Sequence, residues 1–94
     1  MLRVWVDDMR PAPAGWTWAK TSAEGIALVP DADVMSLDHD LGGEDTGYRV
    51  LLVIEDRAAE GMKPPILACH SANPVGRSRM EAAIASIYRV WTQW

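Results

Sequence analysis

The sequence predicts an α/β fold: one domain, residues 1–94, on a parallel sheet of about five strands. Three observations lead there. Short apolar runs at 2–6, 34–37 and 66–69 each stop at Asp or His, as strands do when their ends reach solvent. Longer stretches between and after them carry apolar residues at helical spacing. Pro and Gly fall at the joints. Strands alternating with helices favour right-handed crossovers and a sheet covered on both faces, a three-layer sandwich.

Leu2 to Val6 alternates apolar residues at 2, 4 and 6 and runs straight into Asp7 and Asp8. Pro11, Pro13 and Gly15 mark a loop, and Trp16 to Trp18 is a short second strand. Thr21-Ser-Ala-Glu24 has capping-box spacing and opens a helix to about Val29, which Pro30 closes. Val34 to Leu37, bounded by Asp33 and Asp38, reads as a buried strand, and Gly42-Gly43 as a turn. Apolar residues at 50, 51, 54 and 58 form a helical stripe from about Thr46 to Glu60, with Gly61 at its stop. Pro64-Pro65 leads into a strand from Ile66 to Cys69. Asn73 is an N-cap with Pro74 at the first helical position, and Met80, Ala83, Ile84 and Ile87 follow at helical spacing. Val90 to Trp94 is the expected last strand.

Composition narrows the classes. A chain of this length buries about two-thirds of its unfolded surface, enough for a core without disulfide or metal support. The single cysteine, Cys69, excludes an internal disulfide and a Cys-based zinc cage, and it fits a reducing compartment. No apolar run approaches the roughly 18 residues of a membrane span, and the first residues lack a signal peptide's layout. No membrane partner is therefore expected, and the expected location is the cytoplasm. With 13 acidic against 9 basic residues, net charge -4, nothing attracts a nucleic-acid backbone generally, so such a partner would be met locally. Five Trp with no Phe read as core and edge packing before base stacking. A Trp exposed near the carboxyl end would suit a homodimer.

In a flavodoxin-like strand order, 2-1-3-4-5, the first, third and fourth of these strands are neighbours, and ligands gather at their carboxyl ends. Asp7 and Asp8 end one strand, Asp38, His39 and Asp40 the next, His70 and Ser71 the third. Carboxylates crowded in one crevice repel one another, and a cation relieves the repulsion. Oxygen-only ligands would suit Mg²⁺ or Mn²⁺, whereas recruiting His39 or His70 would turn the preference toward Zn²⁺, and the residues alone leave both open. Duller readings stand beside these: Asp7 and Asp8 as turn caps, Asp38 and Asp40 as flanks of the Gly-Gly turn. His39 reads as a packing residue or a substrate contact, and His70 is balanced between hydrogen-bonded structure and catalysis. Ser71 lacks a nucleophile elbow, so its assigned role is a hydrogen bond to a phosphate oxygen. Arg77 stands in the first turn after Asn73-Pro74, where a helix N-terminus attracts anions, and is assigned to phosphate.

Val-Asp-Asp at 6–8, Ser-Leu-Asp-His-Asp-Leu-Gly at 36–42 and Cys-His-Ser-Ala-Asn-Pro at 69–74 together resemble the cyclic-phosphate-processing receiver-like domains, relatives of response-regulator receiver domains. The resemblance covers nearly the whole chain and implies a flavodoxin/receiver-like fold. By position, Asp7 and Asp8 look like a receiver's metal-binding pair, Asp38 its phosphoacceptor and Ser71-Ala72 its switch step. The departures are informative. No lysine follows residues 90–94, while Asp40 and His70 are additions that a phosphorelay receiver does not need.

The resemblance implies action on cyclic phosphates, such as the 2′,3′-cyclic phosphate at an RNA 3′ end or a small cyclic nucleotide. The leading expectation is a metal-dependent phosphoesterase whose ion, Mg²⁺ or Mn²⁺ ahead of Zn²⁺, is held by Asp7, Asp8 and Asp38 with Asp40 as an optional fourth ligand, and in which Asp38, His70 and Asp40 are catalytic. His70 would protonate the departing ribose oxygen, or act as base if Asp38 attacks in place of water. The competing expectations are a regulatory domain phosphorylated on Asp38 and a non-catalytic binder of a cyclic nucleotide.

Overall fold

The computed structural model describes residues 1–93. Its strands are β1 (Arg3–Val6), β2 (Thr17–Ala19), β3 (Val34–Leu37) and β4 (Ile66–Cys69). Its helices are α1 (Ser22–Leu28, extended by a 3₁₀ turn at Val29–Asp31), α2 (Tyr48–Ala59) and α3 (Pro74–Trp91). All strand pairs are parallel, in the order β2-β1-β3-β4. The α/β class, the receiver-like order and the central position of β1 and β3 are as the sequence predicts. Among the described residues no helix is long and apolar enough to cross a membrane.

Local chemistry explains the helix starts. Thr21 Oγ1 accepts the Glu24 N–H at 3.1 Å, half of a capping box. Asn73 Oδ1 accepts the Gly76 N–H at 3.1 Å, and Pro74 opens α3, where its missing N–H costs nothing. Helix α2 starts at Tyr48, two residues later than the apolar stripe suggests. Thr46 is bridged to Asp40 and the Gly47 N–H donates to the His39 carbonyl at 2.8 Å, which ties that segment to the end of β3.

The core lies on one side of the sheet. Val4, Val6, Met35 and Leu37 point from the paired positions of β1 and β3 into Val50, Leu51 and Ile54 of α2 and Met80 and Ile87 of α3. Each such side chain contributes about 1.5–3 kcal/mol when fully buried. Helix α1 joins the same layer through Gly25, where a Cβ would stand 3.2 Å from Val6 and 3.3 Å from Val50.

Two expectations need correction. Val90 and Trp91 are the last turn of α3, and 92–93 are a turn; of the expected strand Val90 to Trp94, Trp94 lies outside the described residues. The reason is periodicity: Val90 and Trp91 continue the stripe of Met80, Ala83, Ile84 and Ile87 at helical spacing. The sheet therefore has four strands among the described residues, and β4 is an edge. Tyr88 partly stands in for a fifth strand: its hydroxyl accepts the Leu67 N–H at 3.1 Å and donates to the Pro65 carbonyl at 2.8 Å. The layering also differs from a three-layer sandwich. The β1–β2 connection carries no helix, and α1, α2 and α3 share one face. The smallest extent of the molecule is 18 Å, room for one helix layer of about 10 Å on the sheet rather than two. The other face carries Trp5, Trp18, Ser36 and Ala68 in one row of the register.

Candidate functional site

Strand ends and parallel register build the site. Val6 pairs with Leu37, and the Asp38 N–H donates to the Val6 carbonyl at 2.8 Å, so Asp7 and Asp38 leave the sheet side by side. One oxygen each of Asp7, Asp8 and Asp38 lies within 4.8 Å of the others. Two oxygens on one ion stand at most twice the metal–oxygen distance apart, about 4.2 Å for Mg²⁺ and about 5 Å for Ca²⁺. The spread of 4.8 Å lies inside the limit for Ca²⁺ and above that for Mg²⁺, so the three carboxylates could hold a hard divalent cation, and a small one would have to draw them closer together. Gly42 lets the chain pass close by: at its φ of +87° a Cβ would sit 3.1 Å from Asp8 Oδ2.

Asp7 is fully buried and fully bonded. Its Oδ1 accepts the N–H groups of Met9 and Arg10, both at 2.8 Å. Its Oδ2 faces His70 Nε2 at 3.0 Å and Arg10 Nε at 3.3 Å. Burial pushes the carboxyl pKa up, but the two backbone N–H bonds and His70 outweigh it, and the pKa lies below the usual carboxylate value.

His70 is held on three sides. Its N–H donates to the Leu37 carbonyl at 3.0 Å. Its ring stacks on Trp5, centroids 3.7 Å apart and planes 5° from parallel. Nδ1 meets Ser36 Oγ at 2.8 Å. Burial pushes the imidazole pKa down and Asp7 only partly restores it. A carboxylate only accepts, so Nε2 carries the proton toward Asp7, and Nδ1 of the neutral ring accepts from the Ser36 hydroxyl. Both ring nitrogens are thus engaged in fixing Asp7.

Sequence reasoning missed Arg10, Trp5, Ser36 and Trp18 as members of the site. Besides contacting Asp7, the Arg10 guanidinium lies 3.9 Å from Asp38 Oδ2 and donates to the His70 carbonyl at 3.1 Å. It brings a cation to the acid cluster. Two indoles hold the loop that carries it. Trp5 Nε1 donates to the Arg10 carbonyl at 3.0 Å and Trp18 Nε1 to the Asp7 carbonyl at 2.6 Å. Trp16 packs edge-on against Trp5, centroids 6.0 Å apart. The signal available was the position of Arg10, two residues after Asp8; the loop conformation that folds it back was not legible.

The remaining candidates gather at the N-terminus of α3. Asp40 accepts from Asn73 Nδ2 at 3.2 Å and faces His39 Nδ1 at 3.0 Å; these bonds lower its pKa. It lies outside the group formed by Asp7, Asp8 and Asp38. The His39 ring covers Gly76 so closely that a Cβ there would collide with it. Ser71 is buried, and its hydroxyl accepts the Asn73 N–H at 3.1 Å. Arg77 is half-exposed, with Nε 3.5 Å from Glu81 one turn further along α3.

Comparison with known proteins adds one finding: a family model described as the cyclic-phosphate processing receiver domain matches residues 2–86. No curated protein and no solved structure matches the chain.

Proposed function

The chain belongs to the cyclic-phosphate processing receiver family, and we propose that it is a divalent-metal-dependent phosphoesterase that opens cyclic phosphates. The observation that carries this reading is the convergence of Asp7, Asp8 and Asp38, from the ends of two neighbouring strands, within 4.8 Å. In this reading the three carboxylates hold Mg²⁺ or Mn²⁺, which neutralises charge on the phosphodiester and activates water when bound. The substrate is a small cyclic nucleotide or the 2′,3′-cyclic phosphate of an RNA 3′ end. The acidic chain, at net charge -4, favours a small phosphate over a long backbone.

The two histidines then divide the work differently from the sequence expectation. His70 reaches substrate only by giving up Asp7 or Ser36, so its role is to position Asp7. His39 has Nδ1 held by Asp40, and its Nε2 makes no hydrogen bond among the described residues, so in this reading the imidazolium form of His39, oriented by Asp40, gives its Nε2 proton to the departing ribose oxygen and is left neutral. Incubation with a 2′,3′-cyclic nucleotide and Mg²⁺, Mn²⁺ or Zn²⁺ tests the proposal. Release of a phosphomonoester supports it; no turnover with any of them, in protein that binds the metal, refutes it.

A second reading is a regulatory domain phosphorylated on Asp38. It is favoured by the mostly buried Asp38 carboxylate having the Arg10 cation 3.9 Å from one oxygen. A phosphoryl group gained from a small phosphodonor and absent in Asp38→Ala would select it.

A further inference from the structure

Among the described residues the Arg10 side chain is the one cation in contact with the acid cluster, and the bonding of Asp7 sets what must happen to it. A carboxylate has about four lone-pair positions. Asp7 uses four: Met9 N–H and Arg10 N–H on Oδ1, His70 Nε2 and Arg10 Nε on Oδ2. An ion that takes Asp7 as a ligand must displace one of them. Three are short and fixed, two by the backbone and one by a ring clamped between Trp5 and Ser36. The fourth, at 3.3 Å, is the longest and comes from a side chain that is 52% exposed. A charge-assisted bond of full strength is closer to about 2.8 Å. The guanidinium is therefore the group that leaves, while the Arg10 backbone stays anchored through its N–H to Asp7 and its carbonyl to Trp5.

Charge balance then gives the released guanidinium a partner. Three carboxylates and a divalent ion leave one negative charge, which Arg10 offsets beside an incoming phosphate. Its planar fork matches two phosphate oxygens. Resting on the metal-site reading above, we infer that Arg10 exchanges partners: it fills the acid cluster when no ion is bound, competes with the ion for Asp7, and grips the substrate phosphate once displaced.

The experiment compares wild-type protein with Arg10→Ala and Arg10→Gln, both of which keep the backbone bonds to Asp7 and Trp5. Calorimetry measures Mn²⁺ binding alone and then inorganic phosphate binding to the Mn²⁺-loaded protein. Removing an internal competitor of this exposure should tighten Mn²⁺ about two- to fivefold. Losing a charge-assisted phosphate contact should weaken phosphate about tenfold or more. Unchanged or weaker Mn²⁺ binding in the variants overturns the exchange, and so does unchanged phosphate affinity or the absence of Mn²⁺ binding in all three proteins. Neither readout uses turnover. A protein that shows both shifts but hydrolyses no cyclic phosphate sustains this inference and refutes the phosphoesterase.

Discussion

Replacing Gly47 with alanine should damage the fold and the ion site together. Gly47 is buried and has an ordinary φ of -66°, so alanine's backbone preferences present no obstacle. The obstacle is space: an added Cβ would overlap the Asp38 carbonyl oxygen and lie 3.3 Å from Met80 Cε. Because the overlapping atom is backbone, no rotamer change relieves it, and the end of β3 must move by roughly 1 Å. Alanine gains about 0.5–1 kcal/mol from a stiffer unfolded chain. Overpacking costs about 1–3 kcal/mol. The net cost is about 0–2.5 kcal/mol and falls toward the upper end because the overlapped atom is backbone, which lowers Tm by up to about 10–20 °C in a domain of this size. Since Asp38 moves with its carbonyl, Mn²⁺ affinity should fall about tenfold, as when a group supporting a metal ligand is lost. Thermal melting and Mn²⁺ calorimetry read both effects. Gly43→Ala is the control: nothing lies within 4 Å of its Cβ, so it should cost about 1 kcal/mol for its positive φ and leave Mn²⁺ binding alone. A Gly47→Ala protein with wild-type Tm and wild-type Mn²⁺ affinity would refute the reasoning.

Other outcomes follow from the same geometry. Asp38→Ala should abolish Mn²⁺ binding and cost the metal-free protein at most about 1 kcal/mol, since relief of three crowded carboxylates offsets the loss of the acceptor that Asp38 Oδ1 gives the His39 N–H at 2.8 Å. Asp7→Ala should instead cost about 2–3 kcal/mol in a denaturant melt, because the Met9 and Arg10 N–H groups and His70 lose their acceptor. Equal losses in the two variants would mean that Asp38 is structural. Stability should fall in acid. His70 is kept neutral in the fold, so its contribution is complete above about pH 6.5 and drains as the pH falls through that value toward the lowered folded pKa. Asp7, with a lowered pKa, contributes above its ordinary value of 3.8 and loses that contribution as the pH falls through the folded pKa. A Tm that rises between pH 7.5 and 5.5 would contradict this. Tyr88→Phe should cost about 1–2 kcal/mol in the same melt, since the Leu67 N–H and the Pro65 carbonyl both lose the hydroxyl; an unchanged melt would show the edge is satisfied by water.

Much of this was legible in sequence because it depends on local pattern. The alternation of Leu2, Val4 and Val6, the compact run at 34–37 and the Asn73-Pro74 cap each fix an element, and parallel connectivity alone brings Asp7, Asp8 and Asp38 to one edge. Other features depend on tertiary shape. Val90 and Trp91 suit a strand by type, and only their continuity with the Ile87 stripe makes them helix. Arg10 sits in a loop whose path is set by Trp5 and Trp18 gripping backbone carbonyls, contacts that no periodicity encodes. The indole of Trp5 packs by stacking on His70, with Trp16 edge-on against it. That stack, with Ser36 behind it, is also why His70 has no free nitrogen to offer. Asp40 follows Asp38 by two residues, yet is drawn to Asn73 and His39 at the helix start, which spacing alone does not reveal.

The most direct measurement of the central claim is anomalous scattering from crystals soaked in Mn²⁺. A single strong peak bonded to oxygens of Asp7, Asp8 and Asp38, with the Arg10 side chain turned away from Asp7, is the predicted result. A peak elsewhere, or none at these carboxylates under saturating Mn²⁺, would contradict it.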